Sequence, residues 1–231
     1  MDESLIRTVA STGSTNDVVA ALALEGAPEG LWIRAERQTG GRGRQGRGWQ
    51  SPAGNLYAST LVRLQPGDPP APTLALVAAV ALHEVMSPSC PAVRIKWPND
   101  LLVDGAKLAG ILLERSGDAV VIGIGVNLAH HPEDIGRPAT SLAAITDTAS
   151  DPAIFIETLA EAFGRWLARW RSEGLGLIRS RWLAAAHPVG TALSTIEGEG
   201  LFDGLTEDGA LRLRLADGTV RVIHAGDVFL I

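Results

Sequence analysis

Cysteine is nearly missing from this sequence, because Cys90 is the one cysteine among 231 residues. A single thiol cannot close a disulfide within the chain, so the sequence does not imply an oxidising compartment. Cys90 lies between Pro88 and Pro91, and no base that would activate a thiol can be identified beside it. We therefore do not interpret Cys90 as a nucleophile.

A long apolar segment is also missing. The most apolar helix-like stretch, residues 74–86, is too short to span a bilayer and contains His83 and Glu84. Met1 is followed by acidic residues and not by a basic start and an apolar run, so the sequence predicts no secretory signal. We expect a cytoplasmic protein that does not insert into a membrane.

The overall composition excludes a disordered chain and disfavours a general nucleic-acid binder. Hydrophobic residues make up 46% of the sequence and charged residues 20%, a balance typical of folded proteins. A mass of 24.2 kDa suffices for one substantial domain and a small one. The net charge of -6 disfavours nucleic acid as a general partner, yet arginines are concentrated between residues 34 and 47.

Apolar patterns predict that the larger part of the chain combines helices with a sheet. A helix is predicted over 17–24, where polar residues precede an apolar run that ends at Gly26 and Pro28. A buried helix is predicted over 74–86. The predicted strands are residues 31–35, 56–64, 93–97, 101–103, 108–114 and 119–127.

Two further helices are predicted over residues 152–173 and 175–186. Aromatic residues recur there at three- and four-residue spacing, which indicates core packing far more often than a ligand site. They are Phe155, Phe163, Trp166 and Trp170.

After residue 187 the pattern changes to short alternating strands. Leu211 and Leu213 alternate with Arg212 and Arg214, and two Asp-Gly pairs, at 208–209 and 217–218, are strong hairpin signals. The sequence therefore predicts an α+β protein whose larger domain, residues 1–186, has a central mixed or antiparallel sheet with flanking helices. Residues 187–231 are predicted to form a small antiparallel β domain.

Residues 40–49, Gly-Gly-Arg-Gly-Arg-Gln-Gly-Arg-Gly-Trp, are the most informative stretch, and we call them the Arg-Gly loop. Glycine lets main-chain amides approach a ligand closely, and guanidinium groups suit carboxylate or phosphate oxygens. The Walker motif GxxxxGK[ST] is not present in it. We interpret this stretch, which lies between two predicted strands, as a phosphate-binding loop that is neither Rossmann-like nor Walker-like. A solvated basic linker or a nonspecific nucleic-acid patch is the alternative.

Further motifs accompany the loop in a specific order. They are Ser14-Thr15-Asn16, Gln38, Lys96-Trp97-Pro98-Asn99-Asp100, Lys107-Leu108-Ala109-Gly110-Ile111-Leu112 and Gly123-Ile124-Gly125-Val126-Asn127-Leu128. In combination with the Arg-Gly loop, and over nearly the whole chain, this set resembles the biotin protein ligase family. The resemblance is to the short class that has no N-terminal DNA-binding domain.

The resemblance implies a fold and a two-step reaction. The fold would be a catalytic domain like that of class II synthetases, followed by an SH3-like β-barrel. Biotin and ATP would first give biotinyl-5′-adenylate, and the biotinyl group would then pass to a lysine of a biotin carboxyl carrier domain of acetyl-CoA carboxylase or a related carboxylase. Neither DNA nor a membrane is an expected partner, and the family includes both monomers and homodimers.

The same resemblance implies the site residues. The biotin contacts would be Ser14, Thr15, Asn16, Gln38, Arg42, Gly43, Arg44, Lys107 and Gly110. The ATP contacts would be Arg44, Trp49, Lys96, Asn99, Asp100 and Asn127, with Asp100 also facing an ATP-bound Mg²⁺. Lys107, Arg42 and Arg44 would catalyse by stabilising charge where two anions are pushed together, without covalent attachment.

Several interpretations remain open at this point. Glycines such as Gly125 would serve either ligand approach or simple strand packing, and Asn127 would either contact the nucleotide or brace that region. Asp100 is a possible base for the acceptor amine, which is mostly protonated at neutral pH. Gln45 and Gly48 stand where many family members carry basic residues. The segment 129–141 diverges, so no site residue is assigned to it.

Two other functions compete with this one. A lipoate ligase or octanoyltransferase shares the broader fold and also modifies a carrier lysine, but the transferases use a cysteine near a lysine motif, and Cys90 is far from Lys107 in sequence. A noncatalytic adenylate sensor or nucleic-acid-binding regulator is the second alternative. The sequence shows no helix-turn-helix pattern before Ser11, which disfavours a repressor.

Overall fold

A seven-stranded mixed sheet forms the centre of the larger domain. The computed structural model describes residues 6–133, 136–148 and 150–231. The strands of this sheet are β1 (Ile6–Thr12), β2 (Trp32–Gln38), β3 (Leu56–Arg63), β4 (Arg94–Lys96), β5 (Asp100–Val103), β6 (Ala106–Ser116) and β7 (Ala119–Val126). Their order is β1-β2-β3-β7-β6-β5-β4, and β1 and β2 are parallel while the other neighbours are antiparallel.

Helices cover both faces of this sheet. They are α1 (Thr15–Leu24), α2 (Leu74–Met86), α3 (Leu142–Thr146), α4 (Pro152–Glu173) and α5 (Leu175–Ala185). Helix α1 packs Val19 against Leu31, Leu61 and Val121 on one face. Helices α2 and α4 cover the other face, so β3 is buried on both sides. A strand enclosed in this way is mostly apolar, and its two buried polar residues, Ser59 and Thr60, are both hydrogen-bonded.

Helix α4 shows how local sequence sets an element. The Asp151 side chain accepts a hydrogen bond from Ala153 N at 2.8 Å, and Pro152 occupies the first turn, where its missing N–H costs nothing. The predicted aromatic stripe is buried, with Trp170 fully enclosed and its Nε1 donating to Thr73 Oγ1 at 2.8 Å. The stripe is therefore core, as predicted.

The C-terminal strands form a second, antiparallel sheet. They are β8 (Ala192–Thr195), β9 (Gly198–Leu205), β10 (Leu211–Arg214), β11 (Val220–Ile223) and β12 (Val228–Leu230), in the order β11-β10-β9-β8-β12. Leu211 and Leu213 are fully buried, whereas Arg212 and Arg214 pair with Asp203 on the opposite face. The predicted α+β class, with a mixed central sheet and a C-terminal β region, is confirmed.

Apolar packing joins the two sheets. The Trp182 ring of α5 meets the Phe202 ring edge-on, with 6.3 Å between centroids, and Trp97 Nε1 donates to Gly209 O at 3.2 Å. One continuous cluster of buried side chains runs from the helical layer into the C-terminal sheet. The division after residue 186 remains a prediction, and residues 1–5 of the predicted larger domain lie outside the described ranges.

Two elements were not predicted. Strand β1 lies at the edge of the sheet and is largely exposed, so its sequence does not alternate cleanly between apolar and polar residues. Helix α3 is five residues long, too short for a periodic signal. Within the described ranges, no helix has the length and apolar character needed to cross a membrane.

Candidate active site

A cavity lies beneath the Arg-Gly loop, next to the end of β2, the start of β5 and the central parts of β6 and β7. Together with its open mouth it encloses about 840 Å³. Nearly all of the predicted site residues line it, namely Ser14, Thr15, Asn16, Gln38, Arg42, Gly43, Arg44, Trp49, Lys96, Asn99, Asp100, Lys107 and Gly110. Residues as far apart in the chain as Ser14 and Gly110 are therefore brought to one place.

Asn127 is the predicted residue that does not line the cavity. Its side chain is buried and its Nδ2 donates to Thr140 O at 3.0 Å and to Lys107 O at 3.4 Å. Lys107 N in turn donates to Pro138 O at 2.9 Å. Of the two roles left open for Asn127, these contacts favour bracing the backbone of Lys107.

A buried hydrogen-bond network occupies the end of the cavity next to α1. Gln38 Oε1 accepts from Thr15 N at 2.8 Å, and the Thr15 hydroxyl lies 2.7 Å from Ser59 Oγ. Ser59 Oγ donates to Asn16 Oδ1 at 2.6 Å, and Asn16 Nδ2 donates to Glu114 Oε2 at 2.7 Å. Because each buried polar group holds the next, the orientation of the whole set is fixed. Sequence reasoning missed Ser59 and Glu114, which lie inside strands and carry no local motif.

Arg42 is anchored by two carboxylates at the entrance to this network. Its Nη1 donates to Asp17 Oδ2 at 2.8 Å, and its Nη2 lies 3.2 Å from Glu114 Oε1. The hydrogen bond from Arg42 holds the pKa of Asp17 below its usual range, and the same contacts raise the pKa of the guanidinium. Arg42 is thus a permanent cation held in one place, and neither acidic partner was predicted.

Asp100 lies between the two lysines of the chain. Its Oδ1 is 2.5 Å from Lys107 Nζ, and its Oδ2 is 3.4 Å from Lys96 Nζ. Burial opposes ionisation of Asp100, but Lys107 and Lys96 outweigh it, so the pKa of Asp100 lies below its usual value. Burial lowers the pKa of Lys107, and the attraction of Asp100 only partly offsets it, while Arg137 and Lys96 lower it further.

This geometry predicts how the pKa of Lys107 responds to its partner. Asp100→Asn removes the neighbouring anion, so the pKa of Lys107 should fall further below the ordinary lysine value of about 10.4, and the ammonium should lose its proton at lower pH. Because Lys96 and Lys107 are the only lysines, ¹³C-dimethylation gives a simple NMR titration. Asp104→Asn, an exposed aspartate in the next turn, is the matched control. A pKa equal in both variants would contradict the coupling.

Three glycines on the cavity floor face side chains at close range. A Cβ at Gly125 would lie 2.7 Å from the Trp49 ring, and one at Gly123 would lie 2.3 Å from Asn16 Oδ1. A Cβ at Gly110 would meet Lys107 and Trp49 at 3.1 and 3.2 Å. The missing side chains therefore make room for residues of the cavity, and simple packing of neighbouring strands does not account for them. Lys107 Nζ lies 5.4 Å from the centroid of the Trp49 ring.

The Arg-Gly loop is closed on itself by main-chain hydrogen bonds. Trp49 N donates to Gly41 O at 2.9 Å and Gly43 N donates to Arg47 O at 2.7 Å. Gly41, Gly43 and Gly46 have the G-x-G-x-x-G spacing of dinucleotide-binding loops. That motif joins a strand to a helix, whereas this loop joins the antiparallel strands β2 and β3. The loop is accordingly of another kind, as predicted.

The cavity also includes residues that were not assigned to a ligand from the sequence. Arg137 comes from the divergent segment, and Arg47 comes from the Arg-Gly loop itself. Asp227, Val228 and Phe229 come from the C-terminal sheet. A basic residue within an unassigned loop and a turn from a separate sheet give no sequence signal, since only the folded chain places them here.

Cys90 and His131 do not line the cavity. Cys90 is buried, and burial raises the pKa of its thiol, which disfavours the reactive thiolate. His131 Nδ1 lies 3.0 Å from Ser141 Oγ. Among the residues that the structure describes, no three His, Cys, Asp or Glu side chains are grouped so that they could hold a metal ion.

Comparisons with known proteins agree with the geometry. Residues 8–127 match the model of the biotin/lipoate A/B protein ligase family, and residues 194–231 match the biotin protein ligase C-terminal domain. The chain is 43% identical over 238 residues to a biotin–[acetyl-CoA-carboxylase] ligase of Paracoccus denitrificans, covering 96% of this chain and 98% of that protein. A ligase of the same description from Mycobacterium tuberculosis is 36% identical, covering 95% of this chain and 86% of that protein.

Solved structures support the same assignment. The biotin protein ligase from Aquifex aeolicus, in complex with biotin and ATP, matches with a TM-score of 0.87 at 26% identity, covering 98% of this chain and 99% of that one. A biotin protein ligase from Leishmania major, in complex with biotin, matches with a TM-score of 0.68 at 28% identity, covering 96% and 99%. From the matched models, the relatives and the shared fold, the chain belongs to the biotin protein ligase family.

Proposed function

We propose that this protein is an ATP-dependent biotin protein ligase. It forms biotinyl-5′-adenylate and pyrophosphate from biotin and ATP. It then transfers the biotinyl group to a lysine of a biotin carboxyl carrier domain, which releases AMP. The observation that carries the proposal is the single cavity in which a fixed polar network, a buried lysine and an arginine-rich loop meet. Ligases of the family whose structures include biotin and ATP share the fold at high coverage.

The network next to α1 suits the ring of biotin. The ureido group carries both donors and acceptors, which require oriented polar partners inside a mostly apolar pocket. We assign this role to Ser14, Thr15, Asn16 and Gln38. Ser59 and Glu114 hold Thr15 and Asn16, and Thr15 N holds Gln38. Gly43 and Gly110 are assigned to the path of the ligand, where backbone approach is needed.

Lys107, Arg42 and Arg44 supply the positive charge for the first step. The biotin carboxylate attacks the α-phosphate of ATP and displaces pyrophosphate, so two anionic groups have to come together and negative charge builds up between them. A buried cation in a site with little water stabilises that charge more strongly than an exposed one. Lys107 has a side-chain exposure of 13% and is our main candidate for this electrostatic role.

The nucleotide is assigned to the other end of the cavity. Trp49 offers an aromatic face for adenine, and Arg44, Lys96 and Asn99 lie around the space proposed for the phosphates. Magnesium would enter with ATP, because Mg²⁺ usually takes one or two protein carboxylates and completes its shell with phosphates and water. Asp100 is suited to this, since its buried carboxylate lies in the cavity and is kept ionised by Lys107 and Lys96. Mg²⁺ bound there would neutralise phosphate charge.

The second step depends on presenting the acceptor amine. Asp100 has a pKa below its usual value because two ammonium groups flank it, and a carboxylate of that kind is a weak base. We therefore assign the acceleration mainly to positioning of the amine against the adenylate, which is already an activated acyl donor. The proposed acceptor is the carrier domain of acetyl-CoA carboxylase or a related carboxylase.

The test is biotin-dependent exchange of labelled pyrophosphate into ATP, followed by labelling of a purified carrier domain. Exchange with biotin but not with lipoate supports a biotin ligase, and exchange with lipoate alone would indicate a lipoate ligase. A carrier domain whose acceptor lysine is replaced by arginine is the control for the second step. Binding of both small molecules without exchange would refute the enzyme and favour a noncatalytic sensor.

A further inference from the structure

The turn before β12 and the first residue of that strand contact the cationic side of the cavity. Arg47 Nη2 donates to Asp227 Oδ2 at 2.6 Å, and Arg44 Nη2 donates to Gly226 O at 3.0 Å. Lys96 Nζ donates to Val228 O at 2.7 Å. Three cations of the larger domain are thus tied to one short segment of the C-terminal sheet.

Asp227 is the charged member of this segment. Its carboxylate lies 3.9 Å from Arg44 as well as 2.6 Å from Arg47, and its side-chain exposure is 27%. Asp100 and Asp227 are the acidic residues among those that line the cavity. Asp100 faces the lysines, and Asp17 and Glu114 hold Arg42, so Asp227 is the carboxylate that faces Arg44 and Arg47.

Arg44 is held by contacts on two sides. Arg44 Nη1 donates to Asn99 Oδ1 at 3.3 Å, while its other terminal nitrogen contacts Gly226 O. The guanidinium is therefore held between the C-terminal turn and the segment that carries Asn99 and Asp100. Without that turn, the Arg-Gly loop keeps its internal hydrogen bonds but loses its contacts to the second sheet.

We propose that Asp227 is a positioning residue that holds Arg44 and Arg47 of the Arg-Gly loop, and thereby makes the C-terminal sheet part of the nucleotide end of the site. The proposal rests on the proposed function for the identity of the ligand and on the ion pairs for the contact itself. It predicts that the Asp227 carboxylate acts through the arginines. Loss of this carboxylate should therefore raise the KM for ATP more than the KM for biotin.

A first experiment tests the contact between Asp227 and the Arg-Gly loop without measuring catalysis. Trypsin cleaves after arginine, so limited proteolysis of the folded protein reports how firmly the Arg-Gly loop is held. Asp227→Asn should increase the rate of cleavage after Arg44 and Arg47 about tenfold, in line with loss of a charge-assisted contact, and Asp227→Glu should restore much of the protection. Glu207→Gln, an exposed acidic residue of the same sheet region, is the matched control.

A second experiment measures how loss of this contact changes the KM for each substrate. Asp227→Asn should raise the KM for ATP about tenfold in pyrophosphate exchange and leave the KM for biotin near that of Glu207→Gln. In a double-mutant cycle, Arg47→Ala and Asp227→Ala should each raise the KM for ATP, and the double variant should be no worse than the poorer single one.

Each outcome decides the proposal. Cleavage and KM values equal to those of the control would overturn it, as would single effects that multiply in the double variant. Equal losses for ATP and biotin would indicate a general structural role and would overturn it as well. If the wild-type protein shows no exchange at all, the proposed function fails, while proteolysis still tests the contact between Asp227 and the loop.

Discussion

Lys107→Ala should reduce the formation of biotinyl-adenylate about 10³-fold, the scale observed when an enzyme loses one preorganised group that stabilises charge in the transition state. The expected loss is in kcat more than in the KM for biotin, because the ammonium matters most when negative charge builds up between carboxylate and phosphate. Single-turnover formation of the adenylate from labelled ATP measures it directly.

Lys107→Ala should also destabilise the folded protein. Lys107 is the nearest cation to buried Asp100, so its removal leaves that carboxylate with Lys96 at 3.4 Å as its remaining close lysine partner. A buried charge that loses its partner destabilises the folded state. The double variant Lys107→Ala with Asp100→Asn removes both charges and separates this effect from the loss of the cation.

Comparison of the two variants decides the role of Lys107. If the cation itself is needed, the double variant recovers thermal stability but forms adenylate no faster than Lys107→Ala. Wild-type rates in either variant would remove Lys107 from the mechanism. Recovery of activity together with stability would show that the lysine matters only as a partner for Asp100.

Gly123→Ala should weaken biotin binding about 10²-fold, although it adds one methyl group. The new Cβ would lie 2.3 Å from Asn16 Oδ1 and 3.0 Å from its Cγ. Asn16 cannot move aside cheaply, because Ser59 and Glu114 hold its amide from two sides. The clash should therefore displace Asn16 and disturb the hydrogen-bond network that we assign to the ureido ring.

Titration calorimetry with biotin measures the loss, and thermal unfolding checks the fold. Gly164→Ala is the matched control, because a Cβ there meets nothing within 4 Å on the exposed side of α4. The control should bind biotin normally. Normal binding by Gly123→Ala as well would mean that Asn16 has freedom of movement, and the assignment of this end of the cavity to biotin would lose its support.

The C-terminal sheet illustrates why the site had to be seen in three dimensions. Its hairpins were predictable because Asp-Gly turns and alternating leucines are local signals, and residues 211–214 form the predicted strand. Its contribution to the cavity depends on Asp227 meeting Arg47, which lies 180 positions earlier in the chain. No periodicity or motif connects residues so far apart.

The sequence by itself determined the elements with strong local patterns and the residues inside motifs. Helices α2 and α4 have the predicted bounds, because long apolar and amphipathic stretches fix their own period and ends. Most of the predicted site residues line one cavity because they lie at strand ends and in the loops next to them. Only the tertiary structure decided which carboxylates hold Arg42, Lys107 and Arg47, since ion pairs form between side chains that the packing of sheets brings together. Edge strand β1 was missed for the same reason, because its pairing with β2 depends on a neighbour and not on its own apolar pattern.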